Sequence, residues 1–216
     1  MDLVRNILEY IFYLSEGFAA LTALYFIKSV KEKTWKFFTA YLVIIFILDL
    51  FGRFGYLFFE FSKMYYYNYL VIPLQFIFFF WLYTVRFPNG KLYFYSLTFL
   101  YLVSFLPSEL YFSKSTIINS FNYTFGCFLL LVLIISEYYR QLYADDILYF
   151  RKNRMFYINL GVTLFYIGTL PFYTFYKILY SEYPSLWITY CSYAQISDIL
   201  MYLLFSASFI WGKQNF

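Results

Sequence analysis

The chain has no histidine and only two cysteines, and 13% of its 216 residues carry charge. Without imidazole it lacks the commonest general base near neutral pH, the commonest zinc ligand and the usual axial ligand of haem, and it cannot be a phosphohistidine relay. Cys127 and Cys191 stand far apart in apolar stretches, so they read as small buried hydrophobes and not as a disulfide or metal site. Twelve acids and sixteen bases are too few to coat a soluble fold, where about 25% of residues are charged. Glycine is scarce, at 8 residues, and there is no Gly-rich phosphate loop, serine elbow or flanked aspartyl pair. No cofactor, metal, enzymatic activity or nucleic-acid partner is expected. The solvent is a lipid bilayer.

What remains is 63% apolar and 29% aromatic. About 20 apolar residues cross the hydrocarbon as a helix, and breaks at charges and turn residues divide the chain into seven such stretches. These are 6–28, 35–61, 65–86, 91–112, 116–139, 154–179 and 185–211, predicting an all-α polytopic protein, a single bundle of seven transmembrane helices over 1–216. Lys28, Lys31, Lys33, Lys36, Arg86, Lys91, Arg140, Arg151, Lys152, Arg154 and Lys213 fall on one side of that arrangement, eleven of the sixteen bases. Only Arg5, Lys63, Lys114 and Lys177 fall on the other. Basic loops stay in the cytoplasm, so the N-terminus is placed outside and the C-terminus inside. Glu9 and Glu16 interrupt the first stretch, which argues against a cleaved signal peptide. Aromatic residues are read as interfacial belts, such as Tyr65-Tyr66-Tyr67, together with packing and codon bias, with an aromatic-lined ligand pocket as the alternative.

Charges at mid-membrane depth cost roughly 3 kcal/mol each on insertion scales and point to a functional site. Glu16 lies in span one, Asp49 and Arg53 in span two, and Asp198 in span seven, with Gln75 beside Pro73 in span three and Gln195 one turn from Asp198. Asp49 and Arg53 are four residues apart and are expected to pair within their helix, leaving Glu16 and Asp198 as unmatched acids facing the interior. These six residues form the candidate ligand, ion or proton site; its structural alternative is a network that only joins the helices. Glu9 and Glu60, seven residues from Glu16 and Arg53, would extend it as an outer acidic column. Glu109, Glu137 and Glu182 sit near span ends and are expected to be solvated.

Ile11-Phe12-Tyr13-Leu14-Ser15-Glu16, the stretch from Phe156-Tyr157 through Phe165-Tyr166-Ile167-Gly168 to Pro171-Phe172, and the ending Ile199-Leu200-Met201-Tyr202-Leu203-Leu204-Phe205 to Phe209-Ile210-Trp211 carry a resemblance. Across most of its length the chain resembles a family of short, uncharacterised bacterial seven-span inner-membrane proteins often encoded near sensor histidine kinases. The resemblance implies a multi-pass protein of the bacterial cytoplasmic membrane, acting as a receptor-like or signal-input module. It implies no site residues. With no effector domain expected, output would pass to a cytoplasmic or membrane partner, a histidine kinase or another effector. The alternative expectation is a proton- or cation-coupled transporter, or a channel or membrane effector formed by homo-oligomerisation.

Overall fold

A computed structural model of the chain describes residues 2–58, 60, 62–107, 120–143 and 151–212. Glu109, Lys114 and Lys213 lie outside the described residues. Among those described, the secondary structure is helical throughout. Helix α1 runs Asp2–Phe26, α2 Lys33–Phe54, α3 Lys63–Thr84, α4 Gly90–Val103, α5 Ser120–Leu142, α6 Arg154–Thr174, α7 Tyr176–Glu182 and α8 Pro184–Ile210. Six of them, α1, α2, α3, α5, α6 and α8, are long and apolar enough to cross a membrane. The fourth expected span appears as the 14-residue α4, and its later part reaches residues outside the described set.

Helix ends follow local chemistry. At Gly55 the chain leaves α2 for a short 3-10 turn over Gly55–Leu57, so this helix stops well before residue 61, where the apolar run ends. Between α3 and α4, Pro88-Asn89-Gly90 reverses the chain with Asn89 left-handed at φ 58°, a conformation that asparagine tolerates better than most residues. At the start of α6, the Asn153 side chain accepts the Met155 N–H at 2.9 Å, satisfying one donor that the helix cannot. Two helices change pitch. Helix α3 widens to a π turn over Tyr67–Val71 and α6 to one over Thr163–Ile167. Pro73 and Pro171 follow these turns at the first positions of the resumed α segments, where a missing N–H does least harm.

Lipid is as apolar as leucine, so packing and interhelical bonds hold the helices together. Helices α1 and α8 lie close, and Ser15, Ala19 and Ala23 are small buried residues of α1. Helix α6 approaches α8 at Gly161, where a Cβ would stand 3.3 Å from the Met201 Cα. Much of the buried core is aromatic. Phe76 on α3 meets Tyr101, Tyr123 and Tyr166 with ring centroids 5.2, 5.6 and 5.3 Å away. Many tyrosines are therefore core residues, joined by their hydroxyls as well as their rings: Tyr83 donates to Asn159 at 2.7 Å and Tyr166 to Gln75 at 3.0 Å.

The starts of α2 and α6 and the ends of α3 and α8 gather at one end of the bundle. There the Arg154 guanidinium lies 5.7 Å from the Trp35 ring and 5.3 Å from that of Phe209, and its Nε donates to the Gly212 carbonyl at 3.2 Å. This is the basic end. Asp49 and the start of α3 belong to the opposite half.

Candidate functional site

The first carboxylate is set by the closest helix pair. Glu16 projects from α1 among small residues into full burial, and Tyr202 on α8 donates to its Oε1 at 3.0 Å. Across from it on α2, the Asp49 side chain is buried beside the Glu16 carboxyl and accepts from the Tyr67 hydroxyl. With Tyr202 on Oε1, the other Glu16 oxygen, Oε2, is buried without a hydrogen-bond partner. Asp198, on α8 one turn before Tyr202, makes neither a hydrogen bond nor an ion pair among the described residues.

Arg53 belongs elsewhere. It does not pair with Asp49: it bonds Glu9 of α1 at 3.0 Å, and its guanidinium lies 4.9 and 4.6 Å from the rings of Tyr10 and Tyr13. The reason is energetic. An ion pair four residues apart on one helix contributes a few tenths of a kcal/mol, whereas an acid with two aromatic faces offers Arg53 both Coulomb and cation–π attraction. Because α2 ends at Phe54, Arg53 sits in its last turn, near the helix end. Glu9 is thus the partner of a base and does not extend a free acidic column, and Glu60 is exposed. Gln75 accepts from Tyr166. Gln195 is half-buried on α8. Glu137, expected in solvent, is 1% exposed and bonds Arg140 and Gln141, three and four residues on; its own helix supplies what water would have. Glu182 is exposed as expected.

Asp49 and Asp198 both open onto a cavity of about 500 Å³. Gln75 adds an amide to its wall, and Phe12, Tyr67, Tyr123, Phe165 and Tyr173 supply rings. Lys63, at the start of α3, borders it, with its Nζ 5.4 Å from the Tyr56 ring. Both π turns contribute, through Tyr67 and Val71 on α3 and Phe165 on α6. Such turns recur at functional sites because the extra residue re-aims side chains. Among the described residues no three His, Cys, Asp or Glu side chains could hold a metal ion. The arrangement suits an organic cation, with carboxylates for its charge and aromatic faces for its body.

The tyrosines of this site were hidden in the belts. Of Tyr65-Tyr66-Tyr67, the first is exposed, the second donates to the Leu48 carbonyl at 2.8 Å, and the third reaches Asp49. A Cβ on Gly52 would collide with the Tyr67 hydroxyl. Gly52→Ala is therefore expected to push Tyr67 off Asp49 at a cost of about 2 kcal/mol, the range of a hydrogen bond to a charged group. In a Tyr67→Phe background the same substitution should cost clearly less, and unfolding in detergent measures both. Equal costs would place Tyr67 elsewhere.

Six apolar helices around a largely apolar, aromatic cavity onto which two acids open define an all-helical, multi-pass membrane protein. Comparison with known proteins yields no relative: no family model matches the chain, and no curated protein or solved structure matches it.

Proposed function

We propose that this is a non-enzymatic, receptor-like protein of the bacterial inner membrane that binds a small organic cation in the cavity and passes the signal to a partner protein. One observation carries the reading: Asp49 and Asp198 face one aromatic-lined cavity, and neither forms an ion pair among the described residues. Charges kept at such depth without a counter-ion are costly unless a ligand supplies it. A volume of about 500 Å³ fits a molecule of metabolite size.

The proposal includes seven crossings with the N-terminus outside. Helix α3 ends at the basic end, whereas α5 begins near the cavity, where Tyr123 packs against Tyr173 with centroids 4.3 Å apart. Helix α4 leads away from the basic end, and Phe105, beyond it, lies 5.9 Å from Tyr69 near the start of α3, which supports a fourth crossing there. With the basic end inside, the cavity lies toward the outer surface. Ligand binding would favour one packing of α6 against α8, and the partner, a histidine kinase in the reading from family resemblance, would meet the basic end.

A second reading is favoured by two buried acids, Glu16 and Asp49, on facing helices at the cavity wall. A proton-coupled carrier would use such a pair. Two measurements separate the readings. In the purified chain, 2-phenylethylammonium should bind and its neutral isostere 2-phenylethanol should not; equal binding of both ends the cation assignment. In reconstituted vesicles no flux of the ammonium is expected under a proton gradient, and uptake that Glu16→Gln abolishes would replace the receptor with a transporter.

A further inference from the structure

On the opposite face of α3 from the acid cavity lies a second recess, a groove of about 740 Å³ between α2, α3 and α4. Its lining is almost wholly apolar, and its floor is the stacked pair Tyr41 and Phe78, with centroids 3.8 Å apart and planes 4° from parallel. From Tyr69 to Trp81 along α3 it runs twelve residues, about 18 Å at the helical rise, or roughly the depth of one bilayer leaflet. In a membrane this groove cannot stay empty or fill with water.

Basic residues follow the lining residues of its lower end closely in sequence. Phe37, Trp81 and Phe94 line that end. Lys36 adjoins Phe37, Arg86 follows Trp81 by five residues, and Lys91 precedes Phe94 by three. The Arg86 guanidinium lies 5.0 Å from the Trp35 ring. Burial lowers its pKa, opposed by the Glu137 carboxylate, yet arginine remains protonated in proteins. Among the described residues Arg86, Lys36 and Lys91 form no ion pair. Of the two acids that act on Arg86, Glu137 already holds Arg140 and Gln141, and Glu32 forms no ion pair with it.

We propose that an anionic phospholipid occupies this site, one acyl chain in the α2–α3–α4 groove and its phosphate against Arg86 with Lys36 and Lys91. The shape selects a chain of leaflet length, and the unpaired cations that adjoin its lining residues in sequence select a negative headgroup. Nothing here depends on what fills the acid cavity.

The test uses the full chain purified in neutral detergent with added phosphatidylglycerol or phosphatidylcholine of identical acyl chains. The lipid bound per protein is counted by native mass spectrometry. Phosphatidylglycerol should be retained about tenfold better, as expected for charge-assisted phosphate contacts. Arg86→Gln should erase the preference while leaving weak binding of both lipids. Lys36→Gln with Lys91→Gln, at exposed positions that leave the fold alone, should reduce it. Ile77→Trp, which fills the groove, should lower retention of both. Equal retention of the two lipids by the unmodified chain, a preference unchanged in both charge variants, or displacement of phosphatidylglycerol by millimolar inorganic phosphate alone would each overturn the proposal.

Discussion

Asp198→Asn is expected to weaken 2-phenylethylammonium binding roughly a hundredfold, or about 3 kcal/mol, as when one member of a buried charge pair is removed. Asp198 is the cleanest of the three acids to test. Glu16 is tied to Tyr202 and Asp49 to Tyr67, so altering either also alters bonds that hold α1, α2, α3 and α8 together. Asp198 has no such bond among the described residues. Asparagine keeps its shape and removes only the charge. The variant should unfold at the same temperature as the parent or higher, since an uncompensated carboxylate at this depth destabilises the unliganded protein. Calorimetric titration and thermal unfolding in one detergent give both numbers. Lost binding with unchanged or raised stability is the signature of a ligand site. Lost stability with unchanged binding would make Asp198 part of the helix-joining network instead.

Phe76→Ala should have the largest effect on folding, a loss of about 3 kcal/mol. The origin differs from that in a soluble core. Moving a phenyl ring from lipid to protein gains little hydrophobic free energy, so what is lost is packing: many weak dispersion contacts on all sides of a ring with no exposed surface. Tyr101, Tyr123 and Tyr166 all rest against this ring, and none can fill the space without moving its hydroxyl. Tyr166 would leave Gln75, and Tyr123 would leave Thr169, which lies 3.3 Å from its hydroxyl. Reversible unfolding in mixed micelles measures the loss, and Phe76→Leu should restore about half of it. An effect under 1 kcal/mol would mean that the cluster closes around the gap.

The helical, membrane-crossing character was legible because twenty apolar residues in a row have no other stable use. The acids were legible for the complementary reason that each is out of place. Partners were another matter. Spacing along one helix put Asp49 beside Arg53, but a long guanidinium reaches across to α1, where Glu9, Tyr10 and Tyr13 outbid a partner on the same helix. Glu137 lay near a span end, yet Arg140 and Gln141 three and four residues later were the sign that it could be buried with local partners. Among so many tyrosines, nothing in sequence distinguishes Tyr67 and Tyr202 from those facing lipid. The π turns leave no trace either, since one additional residue in a continuous apolar run changes neither composition nor length appreciably.

The π turn in α3 also settles a question of phase. On an unbroken α-helix, residues eight apart point about 80° away from each other, and Tyr67 and Gln75 would then look toward different neighbours. One inserted residue retards the rotation by about 100° and brings the two nearly into line, so that both border the same cavity. Phenol above and amide below form a single polar seam that a regular helix of this sequence could not present.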